Sequence, residues 1–176
     1  MRSILLADHV GIRRYREDDA PLLHEAAQTS TAEAYPWLPW CYAGYRLDEA
    51  ETFARHQVAA WEAGKEFSFV VFDRESDRFV GGVGINYIHP VHRFANLGYW
   101  IRSDCTRRGF ASAAARLAAA FALGDMGLRR VEIVAAVGNV ASQRVAEKAG
   151  AHREGILRNR LYLHGEAVDA VMYSIV

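Results

Sequence analysis

The segment Thr106-Arg107-Arg108-Gly109-Phe110-Ala111-Ser112 puts two adjacent cations, a glycine and two small residues where a β-rich stretch gives way to a helical one. The first backbone N–H groups of a helix have no partner inside it, and the aligned peptide dipoles add about half a positive charge there, so such a junction suits a phosphate or pyrophosphate. Gly109 lets the backbone approach an anion, Arg107 and Arg108 add charge at the same point, and Ala111 and Ser112 keep the first turn small. Taken alone, the segment reads equally as a solvated helix cap. A second constellation is Asn139 with Ser142, three residues apart. If a helix starts at Asn139, both lie on one face of its first turn, where the dipole favours a thiolate. Asn139 reads equally as a plain N-cap.

These residues need elements to hold them. Residues 95–102 read as a strand running into the anion segment, and residues 109–126 as a helix with Phe110, Ala114, Leu117 and Phe121 on one face. Residues 128–137 return to strand, 139–149 to helix ended by Gly150, and 153–163 with 168–176 form a hairpin around His164, Gly165 and Glu166. Upstream, residues 10–16 read as a strand, followed by a helix to about Ala27 whose first turn is suited by Asp18, Asp19 and Pro21. Residues 29–45 carry Pro36, Pro39, Gly44 and the aromatics Tyr35, Trp37, Trp40, Tyr42 and Tyr45, which suits an irregular segment filling core or lining a pocket. Asp48 with Glu51 looks like a capping box for a helix ending at Gly64, and residues 67–72 and 79–88 form an antiparallel hairpin.

At 176 residues the chain suits one domain spanning 1–176, with 51% apolar and 24% charged residues to build a core and a solvated surface. Lysine plus arginine equals aspartate plus glutamate at 21 each, which gives no global field for nucleic acid or an anionic membrane. Cys41 and Cys105 have neither CxxC nor zinc-ligand spacing and read as buried thiols in a reducing compartment. No His/Cys/Asp/Glu set has metal-ligand spacing, so no metal is expected. No signal-peptide pattern or membrane-spanning run is evident, and the protein is expected in the cytoplasm.

The 106–112 segment resembles the pyrophosphate loop of the GNAT superfamily of N-acetyltransferases, Q/R-x-x-G-x-G/A, with Thr106 in place of the usual Gln or Arg. Leu97-Gly98-Tyr99-Trp100-Ile101 resembles the family's splayed strand, whose backbone pairs with the pantetheine arm. Asn139-x-x-Ser142, Glu147-Lys148-x-Gly150 and Glu154-Gly155 resemble the Rim-type branch, which acetylates protein N-termini, notably of ribosomal proteins. Ile12-Arg13, Glu17-Asp18-x-Ala20, Asp169 and Tyr173 fit that branch too. The resemblance implies a strongly twisted, mostly antiparallel mixed α/β sheet with helices on both faces and a V-shaped cofactor cleft between the 95–102 and 128–137 strands. It implies acetyl-CoA as co-substrate, no covalent intermediate, and a homodimer as a common state.

By resemblance, Trp100, Ile101 and Arg102 hold the cofactor through their backbone, Arg107, Arg108, Gly109, Phe110, Ala111 and Ser112 hold its pyrophosphate, Asn139 binds the pantetheine arm, and Ser142 assists the sulfur. The side chains of Tyr99 and Trp100 read as core. The family's alternative acid, a Tyr one turn after Ser142, is replaced by Ala146. Its carboxylate bases are replaced by Asn96 and Leu161, which leaves Glu33, His89, His92 or a water to take the proton. An α-amine, with a pKa of about 7.7–8.0 against about 10.4 for lysine, needs less help from a base, which favours a protein N-terminus as acceptor. A small-molecule amine (antibiotic, amino acid or polyamine) is the second reading, and a non-catalytic CoA-binding sensor the third.

Overall fold

The computed structural model describes residues 4–176. Its strands are β1 (Ile4–Ala7), β2 (Val10–Arg14), β3 (Phe67–Asp73), β4 (Phe79–His89), β5 (Phe94–Ile101), β6 (Arg130–Ala136), β7 (His152–Leu163) and β8 (Glu166–Ile175), and its helices are α1 (Ala20–Gln28), α2 (Thr31–Ala34), α3 (Leu47–Glu62), α4 (Phe110–Ala120) and α5 (Val140–Lys148). The strands form one eight-stranded sheet in the order β1-β2-β3-β4-β5-β6-β8-β7. Every pairing is antiparallel except β5 with β6.

Strand alternation divides the interior into two layers. Phe67, Phe69 and Val71 of β3 point into a core with Phe110, Ala114, Ala118 and Phe121, while Val70 points the other way, into a layer with Leu23 of α1 and Ala50 and Ala54 of α3. Helices therefore cover both faces of the sheet, as the resemblance implied. Phe69 and Phe121 are fully buried with ring centroids 5.2 Å apart, and truncating either to alanine costs about 3–5 kcal/mol.

The elements differ from the sequence expectation in four places. Ile4–Ala7 forms an edge strand on β2, turning at Asp8 in the left-handed region; only Leu5 of it is buried, so four residues carried too little pattern to be read. The helix α3 is closed not by an Asp48–Glu51 pair but by Glu49, whose carboxylate accepts the Arg46 backbone N–H at 3.0 Å. The long helix expected over 109–126 loosens into a π-helical turn at Phe121–Asp125. Within the irregular 29–45 segment, Thr31–Ala34 makes one helical turn.

Three ion pairs, made by two arginines, anchor the elements that bear the site. Asp19, nearly fully buried, takes a bidentate fork from Arg13 at 2.8 and 2.6 Å. Arg102, at the end of β5 and 3% exposed, places both guanidinium NH2 groups 2.7 Å from Glu25 of α1 and its Nε 2.7 Å from Asp104. Planar fork geometry makes such pairs directional, so α1 and the segment leaving β5 are held in register. Both cysteines are buried free thiols, as expected.

Candidate active site

The strands β5 and β6 are hydrogen-bonded only from Phe94–Asn96 to Arg130–Glu132. Beyond Asn96 they part, and the gap opens into a cleft of about 410 Å³ lined by Leu97 to Ile101 on one side and Ile133 to Ala136 on the other. Arg102 donates its backbone N–H to Val80, so alternation along the β4–β5 ladder turns the N–H and C=O groups of Leu97, Tyr99 and Ile101 towards the gap. An open strand edge of this kind offers an extended ligand the hydrogen bonds a further strand would take. Ile101 faces the cleft through its backbone, whereas the N–H of Arg102 is taken by β4, as alternation requires for Trp100 also.

The anion segment sits at one end of that cleft, which Thr106 and Ala111 help to line. Gly109 is the N-cap of α4 with φ +83°, and Arg107 before it has φ +63°. The left-handed backbone that only glycine adopts without strain is what Gly109 supplies, since a Cβ there would meet nothing nearer than His9 at 3.8 Å. Arg107, Arg108 and Gly109 are exposed beside Ala111. The Arg108 guanidinium lies over the Phe110 ring and 3.4 Å from Asp73, and its carbonyl is 2.9 Å from His9 Nε2, a tie that fixes the loop against the β1–β2 turn. The Phe110 side chain is buried in the core, and the Ser112 hydroxyl donates to the Gly109 carbonyl at 3.1 Å.

Across the cleft stands the start of α5. Asn139 is the N-cap, its Oδ1 accepting the Ser142 N–H at 3.0 Å, so the capping role is real and the residue lines the cleft as well. Ser142 lines the cleft too, with its Oγ 3.1 Å from the Tyr99 hydroxyl, which also donates to the Ser142 carbonyl at 2.8 Å. Tyr99 is therefore not plain core. Burial pushes its phenol up to about 12, against a smaller opposing pull from the Ser142 hydrogen bond, so it stays protonated at neutral pH. Ala146, one turn after Ser142, is fully buried in the core and does not line the cleft.

The possible proton acceptors sort by position. Glu33 lines the cleft and accepts from the Ser103 hydroxyl at 2.7 Å. His89 and His92 stack on one another 4.6 Å apart and line neither this cleft nor the second cavity below. Asn96 donates to Asn86 at 2.8 Å, and Leu161 contributes an apolar wall to the cleft.

A second cavity, of about 510 Å³, lies on the α1–α3 face of the sheet and shares Leu38, Gly98, Tyr99 and Trp100 with the cleft. Its carboxylates, Glu49 and Glu66, were not singled out in the sequence, because nothing local distinguishes them from helix-start and turn residues. The aromatic 29–45 segment spans both: Trp37 lines the cleft, Trp40 and Tyr45 the second cavity, as its composition suggested. The β7–β8 turn reaches over it, His164 Nε2 lying 2.9 Å from the Tyr35 carbonyl. Among the described residues no three His, Cys, Asp or Glu side chains gather to hold a metal ion, and no helix is long and apolar enough to cross a membrane.

A sheet split between two parallel strands, with a glycine-led helix start at one end of the split and a capped helix facing it, defines a transferase of the acetyl-CoA-binding type. The chain belongs to the GNAT acetyltransferase family: the model of its acetyltransferase (GNAT) domain matches residues 9–152. Among its relatives, the uncharacterized N-acetyltransferase YoaA of Bacillus subtilis (strain 168) is 26% identical over 100% of this chain and 98% of its own. The ribosomal-protein-serine acetyltransferase of Escherichia coli (strain K12) is 28% identical over 66% of this chain and 64% of its own. The solved structure of RimL, a ribosomal L7/L12 alpha-N-protein acetyltransferase in complex with coenzyme A, superposes with a TM-score of 0.89 at 22% identity, covering 98% of this chain and 97% of that one, a likeness of fold. The protein is thus an acetyl-CoA-dependent N-acetyltransferase of Rim-like build.

Proposed function

We propose that the protein, acting as one domain over 1–176, transfers the acetyl group of acetyl-CoA to the α-amine of a protein N-terminus, by direct attack and without a covalent intermediate. The observation that carries the reading is the hydrogen-bonded pair Tyr99–Ser142 at the split of β5 from β6. Acetyl-CoA supplies the thioester. The open edge of β5 at Leu97, Tyr99 and Ile101 binds its pantetheine arm, Asn139 shapes the helix start beside it, and the N–H groups from Gly109 to Ser112, with Arg107 and Arg108, take the pyrophosphate.

Ser142 lies where a leaving sulfur meets the positive end of α5. The proton of Tyr99 is engaged by the Ser142 carbonyl, which leaves the Ser142 hydroxyl to point at Tyr99 or at the sulfur. A phenol near 12 does not protonate a thiolate outright, a thiol titrating at about 8.5, so the pair acts by hydrogen-bond donation in the transition state. Glu33, or water held by it, takes the amine proton in this reading. The E. coli relative is named a ribosomal-protein-serine acetyltransferase, and that name together with the modest need of an α-amine for a base supports the N-terminal acceptor.

Release of free thiol from acetyl-CoA, measured against peptides with free N-termini and against small amines, tests this directly. Turnover with peptides whose only amine is the N-terminus is the expected result; turnover confined to small amines establishes the second reading, which the roomy second cavity favours. Absence of turnover with tight CoA binding would leave a CoA sensor.

A further inference from the structure

The second cavity holds hydrogen-bonding groups that the acetyl-transfer step does not use. Its floor is stripped of side chains: Ser68, Gly84 and Gly98 lie side by side across β3, β4 and β5, and Gly82 lies opposite Trp100. Over that bare floor two donors converge. A Cβ on Gly82 would come 2.8 Å from Trp100 Nε1 and 3.1 Å from the Tyr15 hydroxyl, so this glycine is what lets an indole N–H and a phenol O–H meet above one point of the sheet. Neighbouring rings hold both in place. Trp100 packs edge-on against Trp40 with centroids 5.3 Å apart, and Tyr15 packs edge-on against Phe53 at 5.6 Å.

Neither donor is spent. Tyr15 is 3% exposed, yet its hydroxyl makes no hydrogen bond among the described residues, and neither does Trp100 Nε1. Both residues line the cavity, and neither atom is sealed from it: among the described residues, Gln57 Oε1 is the one partnerless polar side-chain atom without accessible surface. Burial pushes the Tyr15 phenol up, so it keeps its proton to donate, and an indole N–H can only donate. Polar hydrogens held among rings without a partner are the groups that an arriving acceptor atom satisfies. Glu49 and Glu66 also line the cavity, and no lysine, arginine or histidine does. Two neutral donors in the company of two carboxylates suit an uncharged oxygen and disfavour an anionic one.

We propose that the Tyr15 hydroxyl and Trp100 Nε1 form a subsite for an uncharged carbonyl oxygen of the acceptor, set about two peptide residues in from the reacting amine, and that a carboxylate is refused there. This rests on the acetyl-transfer reading above, because the cavity meets the cleft only at Leu38, Gly98, Tyr99 and Trp100, where the amine would cross to the thioester. From Gly98 the donor pair over Gly82 is one strand across and two residues along, about 8 Å, and an extended chain covers that distance in about two residues. A peptide N-terminus brings an amide carbonyl to that place. Tyr15 is then a specificity residue, since it does not line the cleft in which the thioester is broken.

The test compares amines that differ only at that oxygen. Alanyl-alaninamide carries the amide carbonyl, alanyl-alanine a carboxylate, and alanine isopropylamide ends where the carbonyl would begin. A parallel arm of 5-aminopentanamide, 5-aminopentanoate and butylamine repeats the comparison without a peptide backbone, so that a peptide and a small amide are told apart as sources of the same group. The amide is expected to exceed the other two members of its series by about 10-fold or more in kcat/KM, since a hydrogen-bonding site discriminates against a partner that leaves its donors unpaired. In Tyr15→Phe that ratio falls towards one, while calorimetric acetyl-CoA affinity reports whether the cleft is intact. A wild-type ratio near one in both arms, a ratio undiminished in Tyr15→Phe, or a carboxylate taken as readily as the amide would overturn the proposal. Calorimetric binding of the three alanine compounds to the CoA-saturated protein makes the decision independent of turnover. Amide-selective binding without acetylation refutes the acetyl-transfer reading while the subsite stands; equal binding of all three refutes the subsite itself.

Discussion

The Tyr99 hydroxyl donates to the Ser142 carbonyl at 2.8 Å and lies 3.1 Å from the Ser142 hydroxyl, joining the free edge of β5 to the first turn of α5 across the split in the sheet. This contact bridges the two walls of the cleft with the groups proposed to meet the leaving sulfur. Ser142→Ala is expected to lower kcat by about 10²-fold or less, the low end of general-acid assistance, because a CoA thiolate is already a good leaving group. Acetyl-CoA affinity by calorimetry stays near wild type, since the hydroxyl acts mainly in the transition state. Tyr99→Phe lowers kcat too, and the double variant loses less than the sum of the two in free energy, because the residues act as a unit. Strict additivity would show that they act separately.

Burial pushes the Tyr99 phenol up to about 12, so it is neutral throughout the range in which an α-amine titrates. The alkaline and acid limbs of the kcat profile between about pH 6 and 9 therefore belong to other groups, and Tyr99→Phe leaves their midpoints unmoved. The linked stability has a definite sign. With its folded pKa raised above the ordinary value near 10, Tyr99 contributes stability that is complete below pH 10 and is lost as pH rises through 12. Denaturant midpoints of wild type and Tyr99→Phe should converge or cross over that interval.

Gly109 has φ +83°, a conformation strained for a β-branched residue. Gly109→Val is expected to weaken acetyl-CoA binding severely by turning the first N–H groups of α4 off their target. Gly109→Asn, which tolerates the left-handed region, retains much more of the affinity. Equal calorimetric affinities for Gly109→Val and wild type would remove the pyrophosphate from this helix start.

Glu154 is held down to about 2, chiefly by Arg130 and then by the Ser174 hydroxyl. A depressed carboxylate contributes stability present above its ordinary range and lost as pH falls from about 4 towards 2. Arg130→Met removes the main cause and should make the acid limb of the stability profile shallower, read from urea midpoints across that interval. An unchanged acid limb would mean that other carboxylates carry it.

Much of this protein is written locally. The backbone demand at Gly109, the N-cap at Asn139 and the Asn-x-x-Ser spacing depend on residues a turn apart, so the helix starts were legible in the sequence, and with them the resemblance to the family that the domain match bears out. Most strands were legible for the same reason, since alternation in 67–72 or 79–88 is a short-range signal; Ile4–Ala7, with one buried residue, had too little of it. Tertiary structure decided what depends on contacts distant in the chain. Tyr99 becomes a partner of Ser142 only because the sheet splits beyond Asn96 and α5 stands over the gap, a contact spanning 43 residues. The backbone of Ile101 faces the cleft and that of Arg102 does not because the ladder with β4 alternates, and register is a property of the pair of strands rather than of either one. Gln57, Glu49 and Glu66 look like ordinary residues of a solvated helix and its flank until the sheet's glycines hollow out a cavity beneath them.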